Sequence, residues 1–287
     1  MKQTLVFIHC LFAAFLMQAQ KVDCHLKFDQ GQVINVSLQM KTNIVQQAMG
    51  QAIDFNVDAS GEHSFTVTNS TEDNTTLKHA VERVTFNFDG MGQKKNFDSK
   101  EEKDLNSVNG KPVKEMLEKK YDMIIDGSGN TLMAIPEKIE IAAGDPRMAI
   151  ITNMLKEVFN LVQPPKKGSG SFFKVLPDSG ILKGQPWTES YTNENGKFNA
   201  AYSVTDVNDS TFTIDFAASS TTVSKAEMMG NETTTTMNNK STGKIIVDRI
   251  TGIMKEKTMK TESNGNTETS FGTLPVTSTT TVTIKVK

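Results

Sequence analysis

The thiol and imidazole side chains, which serve nucleophilic, acid–base and metal chemistry near neutral pH, are few once the N-terminal segment is set aside: Cys24, His25, His63 and His79. A nucleophile needs a base within hydrogen-bond reach, and carboxylate catalysis needs two acids held in one cleft. Gly-x-Ser-x-Gly, Gly-x-x-x-x-Gly-Lys and His-Glu-x-x-His are all absent. Cys24 and His25 are adjacent, so on a strand they point to opposite faces and hold one ion poorly. His79 shares a face with Leu77 and Val81, the setting of a half-buried structural histidine. Asp126-Gly127-Ser128-Gly129-Asn130 begins like a calcium loop but has no bidentate acid at its end, and reads as a hairpin turn. Gly168-Ser169-Gly170-Ser171 lacks the strand-to-helix context of a phosphate cradle and reads as a connector. An active site would have to gather several of Asp54, His63, His79 and Glu82, and no such cleft is expected. The chain therefore reads as a non-enzyme with no cofactor and no metal site.

The elements that would carry a binding site are strands. Ile34, Val36, Leu38 and Met40 alternate with Asn35, Ser37, Gln39 and Lys41, which predicts a half-buried antiparallel strand. Ile53, Phe55 and Val57 repeat the pattern after a hairpin turn at Met49-Gly50-Gln51. Leu77, His79 and Val81 are odd-numbered whereas Val84, Phe86 and Phe88 are even, so a β-bulge is expected near Glu82-Arg83. A charged insert from Ser99 leads into a short helix with Val113, Met116 and Leu117 facing inward. A second β series begins with Phe172-Phe173 to Leu176 and the Gly184-Gln185-Pro186-Trp187 turn, and ends on Val282, Ile284 and Val286. The runs Thr233 to Thr236 and Thr277 to Thr281 read as threonines on exposed strand faces.

One long helix signal lies mid-chain. Asp145 can cap it, Pro146 suits its first turn and Pro164-Pro165 stop it, which predicts a helix over 146–163. Met148, Ile151, Met154, Leu155, Val158 and Phe159 fall on one side of that helix, a wide apolar arc suited to a concave bed. The expected fold is mainly β (α+β): a strongly curved antiparallel sheet or half-barrel with this one main helix packed in its concave face. Residues 21–287 read as a single β-rich domain of two pseudo-repeated halves, 21–143 and 166–287. The repeat is carried by Val67-Thr68-Asn69-Ser70 to Met91-Gly92 against Val204-Thr205-Asp206-Val207 to Met229-Gly230, and by Ile125-Asp126 against Val247-Asp248.

Residues 1–20 have the form of a secretory signal, with Lys2, an apolar stretch from Leu5 to Met17, and Ala19 before a cut near Gln20. That implies a periplasmic or extracellular protein with no integral membrane segment after cleavage. Cys24 would then be the lone cysteine, with no internal disulfide framework. A formal charge of −2 gives no electrostatic reason to bind nucleic acid. The low aromatic content, with the single Trp187, argues against a carbohydrate-binding face of exposed rings. Asp209-Ser210-Thr211 resembles a bacterial O-glycosylation acceptor motif, while triplets such as Asn69-Ser70-Thr71 matter only in a eukaryotic secretory path.

Lys27-Phe28-Asp29-Gln30-Gly31-Gln32 before a long strand, the Met49-Gly50-Gln51 turn, Ile125-Asp126-Gly127-Ser128-Gly129 and Gly184-Gln185-Pro186-Trp187 resemble an uncharacterised family of secreted Bacteroidota proteins, a domain of unknown function. The resemblance implies a half-barrel like that of the lipoprotein carriers of the LolA and LppX type, a curved sheet around an apolar cavity. The expected function is a binding or carrier protein for an apolar small molecule, such as a lipid or lipoprotein acyl chain. Methionines motivate it, as adaptable pocket liners: Met148 and Met154 on the helix, Met40 and Met123 on inward strand faces. The alternative is a structural or interaction module of the cell envelope with a solid core and no ligand.

Overall fold

A computed structural model of the protein describes residues 21–22, 25–48, 50–90, 92–107, 110–139, 156–193, 196–228, 231–270 and 272–287. The expected signal over 1–20, Cys24, and Met148, Ile151, Met154 and Leu155 of the expected helix lie outside the described residues.

Most of the described chain is strand. In chain order these are β1 (Lys21–Val22), β2 (Val33–Ala48), β3 (Gln51–Ser70), β4 (Asn74–Gly90), β5 (Gln93–Asp98), β6 (Lys120–Asp126) and β7 (Thr131–Ile135). The second series is β8 (Ile181–Leu182), β9 (Pro186–Asn193), β10 (Gly196–Val207), β11 (Thr211–Met228), β12 (Asn231–Asp248), β13 (Met254–Thr269) and β14 (Gly272–Val286). Helices are short: α1 (Glu102–Leu105), α2 (Gly110–Glu118) and α3 (Lys156–Phe159). β1 and β8 pair with each other, and the other twelve strands form one sheet in the order β7-β6-β4-β3-β2-β14-β13-β12-β11-β10-β9, with β5 beside β4. Among the described residues every pairing is antiparallel, and the strand order runs from β7 to β9 without closing.

The alternation of apolar residues sets the faces. Ile34, Val36, Leu38 and Met40 are buried while Asn35, Gln39 and Lys41 are exposed. β2 and β3 meet across a two-residue turn in which Ala48 pairs with Gln51 and Gly50 takes a positive φ of 76°, open to glycine without strain. The expected bulge is present: Glu62 pairs with Arg83 and His63 with Val81, so Glu82 is the extra residue and the inward set moves from odd to even numbers. In α2, Val113 and Met116 are buried on the core, with Leu117 packed beside them.

The two halves use matching devices. Thr68 and Thr205 are extra residues at register shifts against β4 and β11, and each donates to a backbone oxygen eight residues on, Thr76 and Thr213. Asp126 and Asp248 both accept from backbone amides of the turn that follows them, with register shifts just before each at Ile124/Ile125 and Ile246/Val247. β12 pairs with β11 along its whole length, whereas β4 is covered by β5 and then β6, with the charged insert and its two helices looped out between them.

Two expectations are corrected. Phe172 to Leu176 is not a strand: it is an irregular plug, with Phe173 meeting Phe28 and Phe65 edge-on at 5.3 and 5.1 Å. Burying adjacent aromatic rings on the same core needs a non-alternating backbone. The helix expected to reach 163 ends at Phe159 within α3. Val162 donates its N–H to the Phe159 carbonyl at 3.0 Å, a tight turn that sets Val158 and Val162 into one cluster with Leu38, Val84 and Phe86. Tyr121 Oη, donating to the Leu161 carbonyl at 3.1 Å, and Gln163 Nε2, donating to that of Ile139 at 2.9 Å, hold this segment down.

Candidate functional site

Antiparallel register lines up residues across the inner face of β2 and β9–β14 in level rows. The lowest row is apolar: Met40, Val282, Met259, Gly243, Phe216 and Tyr202 are successive cross-strand partners. The next is small and hydroxylated: Thr42, Thr280, Thr261, Ser241, Ala218 and Ala200. Above it run Ile44, Ser278, Ser263, Asn239, Ser220 and Phe198. β9 closes the rows with Trp187, Glu189 and Tyr191 opposite Tyr202, Ala200 and Phe198. Because the upper rows carry mainly small side chains between Ile44 and Phe198, they leave a groove of about 470 Å³ touching all seven strands. Its hydroxyls partly satisfy one another: Thr42 with Thr280 at 2.9 Å, and Ser241 with Thr261 at 2.8 Å. Beneath the apolar row, Lys257 Nζ lies 5.3 Å from the centre of the Phe216 ring.

Of the residues expected to line a pocket, Met40 lines this groove. Met123 and Val158 are enclosed in separate parts of the core, and Phe159 is half-buried against the second of them. Around the described end of the expected helix the face is filled, and the open space lies beside it, toward the hairpin ends of the strands. The second threonine run is corrected in part: Thr277, Thr279 and Thr281 are exposed as expected, but Ser278 and Thr280 between them line the groove.

His63 and His79 do converge. His63 lies opposite Val81 and His79 opposite Phe65, which makes the histidines diagonal neighbours. His63 Nδ1 and His79 Nε2 are 3.0 Å apart, with only 2% and 1% of each residue exposed. Tyr121 stacks on His79 at 4.5 Å, and Phe65 meets it at 4.9 Å with its ring tilted by 47°. Burial lowers the pKa of His63 to about 4, against the raising effects of the Val158 backbone and the Glu82 charge. Burial, and then the neighbouring His63, lowers that of His79 to about 3. The pair is neutral and sealed from solvent. Glu82 and Asp54 are exposed on the other face, where Ser64 Oγ donates to Glu82 Oε1 at 2.6 Å, so the four residues form no cleft. Asp126 turns β6 into β7, accepting from the N–H groups of Ser128 and Asn130 at 2.9 and 2.8 Å. Ser210 stands in the exposed β10–β11 turn, where its Oγ donates to Asn208 Oδ1 at 3.1 Å.

The family model that matches the chain is the family of unknown function DUF6263, over residues 72–254, from the β3–β4 turn to the first residue of β13. The chain belongs to this family. An uncharacterised family was the expectation from the turn signatures, while the Bacteroidota origin and the LolA-like half-barrel belong to the resemblance alone. The matched span holds the β9–β12 side of the groove, and Met40, Met259 and Thr280 fall outside it. No curated protein matches. Among solved structures, one on lipid–protein interactions in lipovitellin is similar over 91% of this chain and 26% of that one, at 12% identity and a TM-score of 0.44. This chain thus spans about a quarter of the lipovitellin chain's length. OccK8 (OprE) of Pseudomonas aeruginosa matches over 90% of this chain and 98% of that one, at 5% identity and a TM-score of 0.17. Both likenesses lie below the level at which a shared fold follows. No helix among the described residues is long and apolar enough to cross a membrane.

Proposed function

We propose that the protein is an exported, non-enzymatic carrier that holds one amphiphilic molecule, such as a lipid or an acylated compound, in the inner-face groove. The observation that carries this reading is a contrast within one face. Over β3, β4 and the Leu38 end of β2 the face is packed shut by α2, α3 and buried side chains such as Phe86 and Val158, yet from Met40 toward β9 it keeps about 470 Å³ open. Seven flat strands at about 4.8 Å spacing would span about 29 Å. One groove reaching from Met40 to Tyr191 therefore favours a strongly curved sheet, half of a barrel, with the α3 segment on its concave side. The rows suit an amphiphile, with an apolar strip from Met40 through Met259 to Tyr202 for its tail and hydroxyl rows for its polar end. The matching bulges and Asp turns support reading 21–143 and 166–287 as pseudo-repeats.

The second reading, an envelope module with a solid core, draws on the filled interior around Val158 and Val162. A fluorescent fatty-acid probe titrated into the full exported chain separates the two. The carrier takes it up saturably at one per chain, and Ala218→Trp, which fills the groove floor with an indole, abolishes uptake. A probe that stays in buffer, or binds Ala218→Trp as it binds the wild type, favours the solid module.

A further inference from the structure

The β9 end of the groove differs from the rest of it. The chain has one tryptophan and three tyrosines, and Trp187, Tyr191 and Tyr202 all stand here, beside Phe198. The rings form two flat pairs: Trp187 on Tyr202 at 5.2 Å and 15°, Tyr191 on Phe198 at 4.7 Å and 14°. Tyr191 is 58% exposed, so its ring is not held there by the core. Between the pairs, on the same side of β9, is Glu189, level with Ala200 and Ala218, whose methyl groups leave room above the floor. Burial, and then the nearby Glu189 carboxylate, raises the Tyr202 hydroxyl to about 12, so it stays a neutral donor. Farther along the upper row, Asn239 Nδ2 donates to Ser220 Oγ at 3.0 Å and to Thr222 Oγ1 at 3.3 Å.

Flat rings around a carboxylate, with a rim of hydroxyls and an amide, answer one ligand chemistry. A pyranose has a C–H face that lies on an aromatic ring, and vicinal hydroxyls that donate to a carboxylate while accepting from serine and threonine. An acyl chain here would strip water from Glu189 and return no hydrogen bond. We propose that the β9 end is a saccharide subsite, with the sugar face on Tyr191 and its hydroxyls on Glu189, so that the amphiphile carried is a glycolipid. This rests on the carrier reading and specifies the polar end of its ligand. The low aromatic content spoke against such a face because an average over the chain does not register four rings converging on one hairpin.

Trp187, the chain's single tryptophan, stacks on Tyr202, which lines the groove, so its emission reports occupancy. The full exported chain is titrated with n-octyl β-D-glucoside below its micellar concentration, and with n-octyl tetraethylene glycol, which has the same tail and no ring. The glucoside is expected to bind about tenfold more tightly. Tyr191→Ala and, separately, Glu189→Gln should each bring the ratio of the two affinities to within about twofold. Equal affinities in the wild type, or a ratio that either variant leaves unchanged, overturn the saccharide subsite while the carrier stands. Binding of neither compound, by emission and by calorimetry, overturns both.

Discussion

Moving the protein from pH 7 to pH 5 should destabilise it through two side chains, His63 and His79. In the unfolded chain each histidine takes up a proton as pH falls through 6.5, whereas in the fold burial delays this to about 4 and about 3. The sign follows from linkage. A group whose folded pKa is depressed leaves stability flat above the unfolded pKa and erodes it as pH falls from there toward the folded value. At about 1.4 kcal/mol per pH unit for each group, the drop to pH 5 costs about 2 kcal/mol per histidine and about 4 kcal/mol for the pair. With a urea slope of about 2.5 kcal/mol per molar, the unfolding midpoint should fall by about 1.5 M. Asp98, Asp178, Asp248 and Glu262 have lowered pKa values, so they lose stability only below the ordinary carboxylate range and leave this window clear. The assay is urea unfolding followed by circular dichroism at both pH values, on the wild type and on His63→Leu/His79→Phe. The double variant should keep its midpoint between pH 7 and pH 5. If it shows the full wild-type drop, the buried pair is not the cause and the reasoning fails.

Three further outcomes follow from packing. Phe173→Ala removes a fully buried ring that meets Phe28 and Phe65, and thermal or urea unfolding should register a loss of about 3–5 kcal/mol. Gly243→Ala sets a methyl 2.1 Å from the Thr258 carbonyl oxygen and 2.6 Å from the Phe216 ring, so overpacking should cost about 1–3 kcal/mol or more in the same assay. Gly61→Ala meets His63 Nε2 and Val158 Cγ1 at 2.9 Å each, and should loosen α3 from the sheet, read as faster amide exchange in residues 156–159.

How much of this was legible depends on where the sheet builds a core. On β2 to β4 most inward positions are apolar, so strand phase and the extra residue at Glu82 can be read from period two, and the Met49-Gly50 hairpin from its glycine. The inward position of His79 follows from the same phase, but its partner His63 does not, because a diagonal contact depends on register across the β3–β4 turn. β13 is the opposite case. Thr258 and Lys260 on one side face Thr261 and Ser263 on the other, so no alternation marks it, and the strand is not anticipated. That silence coincides with the groove: where a sheet face is left open to a ligand, its residues need not be apolar, and the pattern that reveals strands disappears. Phe172-Phe173 misled for a related reason, since two adjacent large rings signal burial but not the backbone that delivers it. The aromatic end was present as Trp187, Tyr191, Phe198 and Tyr202, four positions that meet only once β9 folds back on β10.

The most direct measurement of the carrier reading is the native mass of the full chain, purified without detergent. It should carry one tightly held amphiphile per chain, released on unfolding and missing from Ala218→Trp. A bare polypeptide mass in the wild type, with no uptake when lipids are added back, would contradict it.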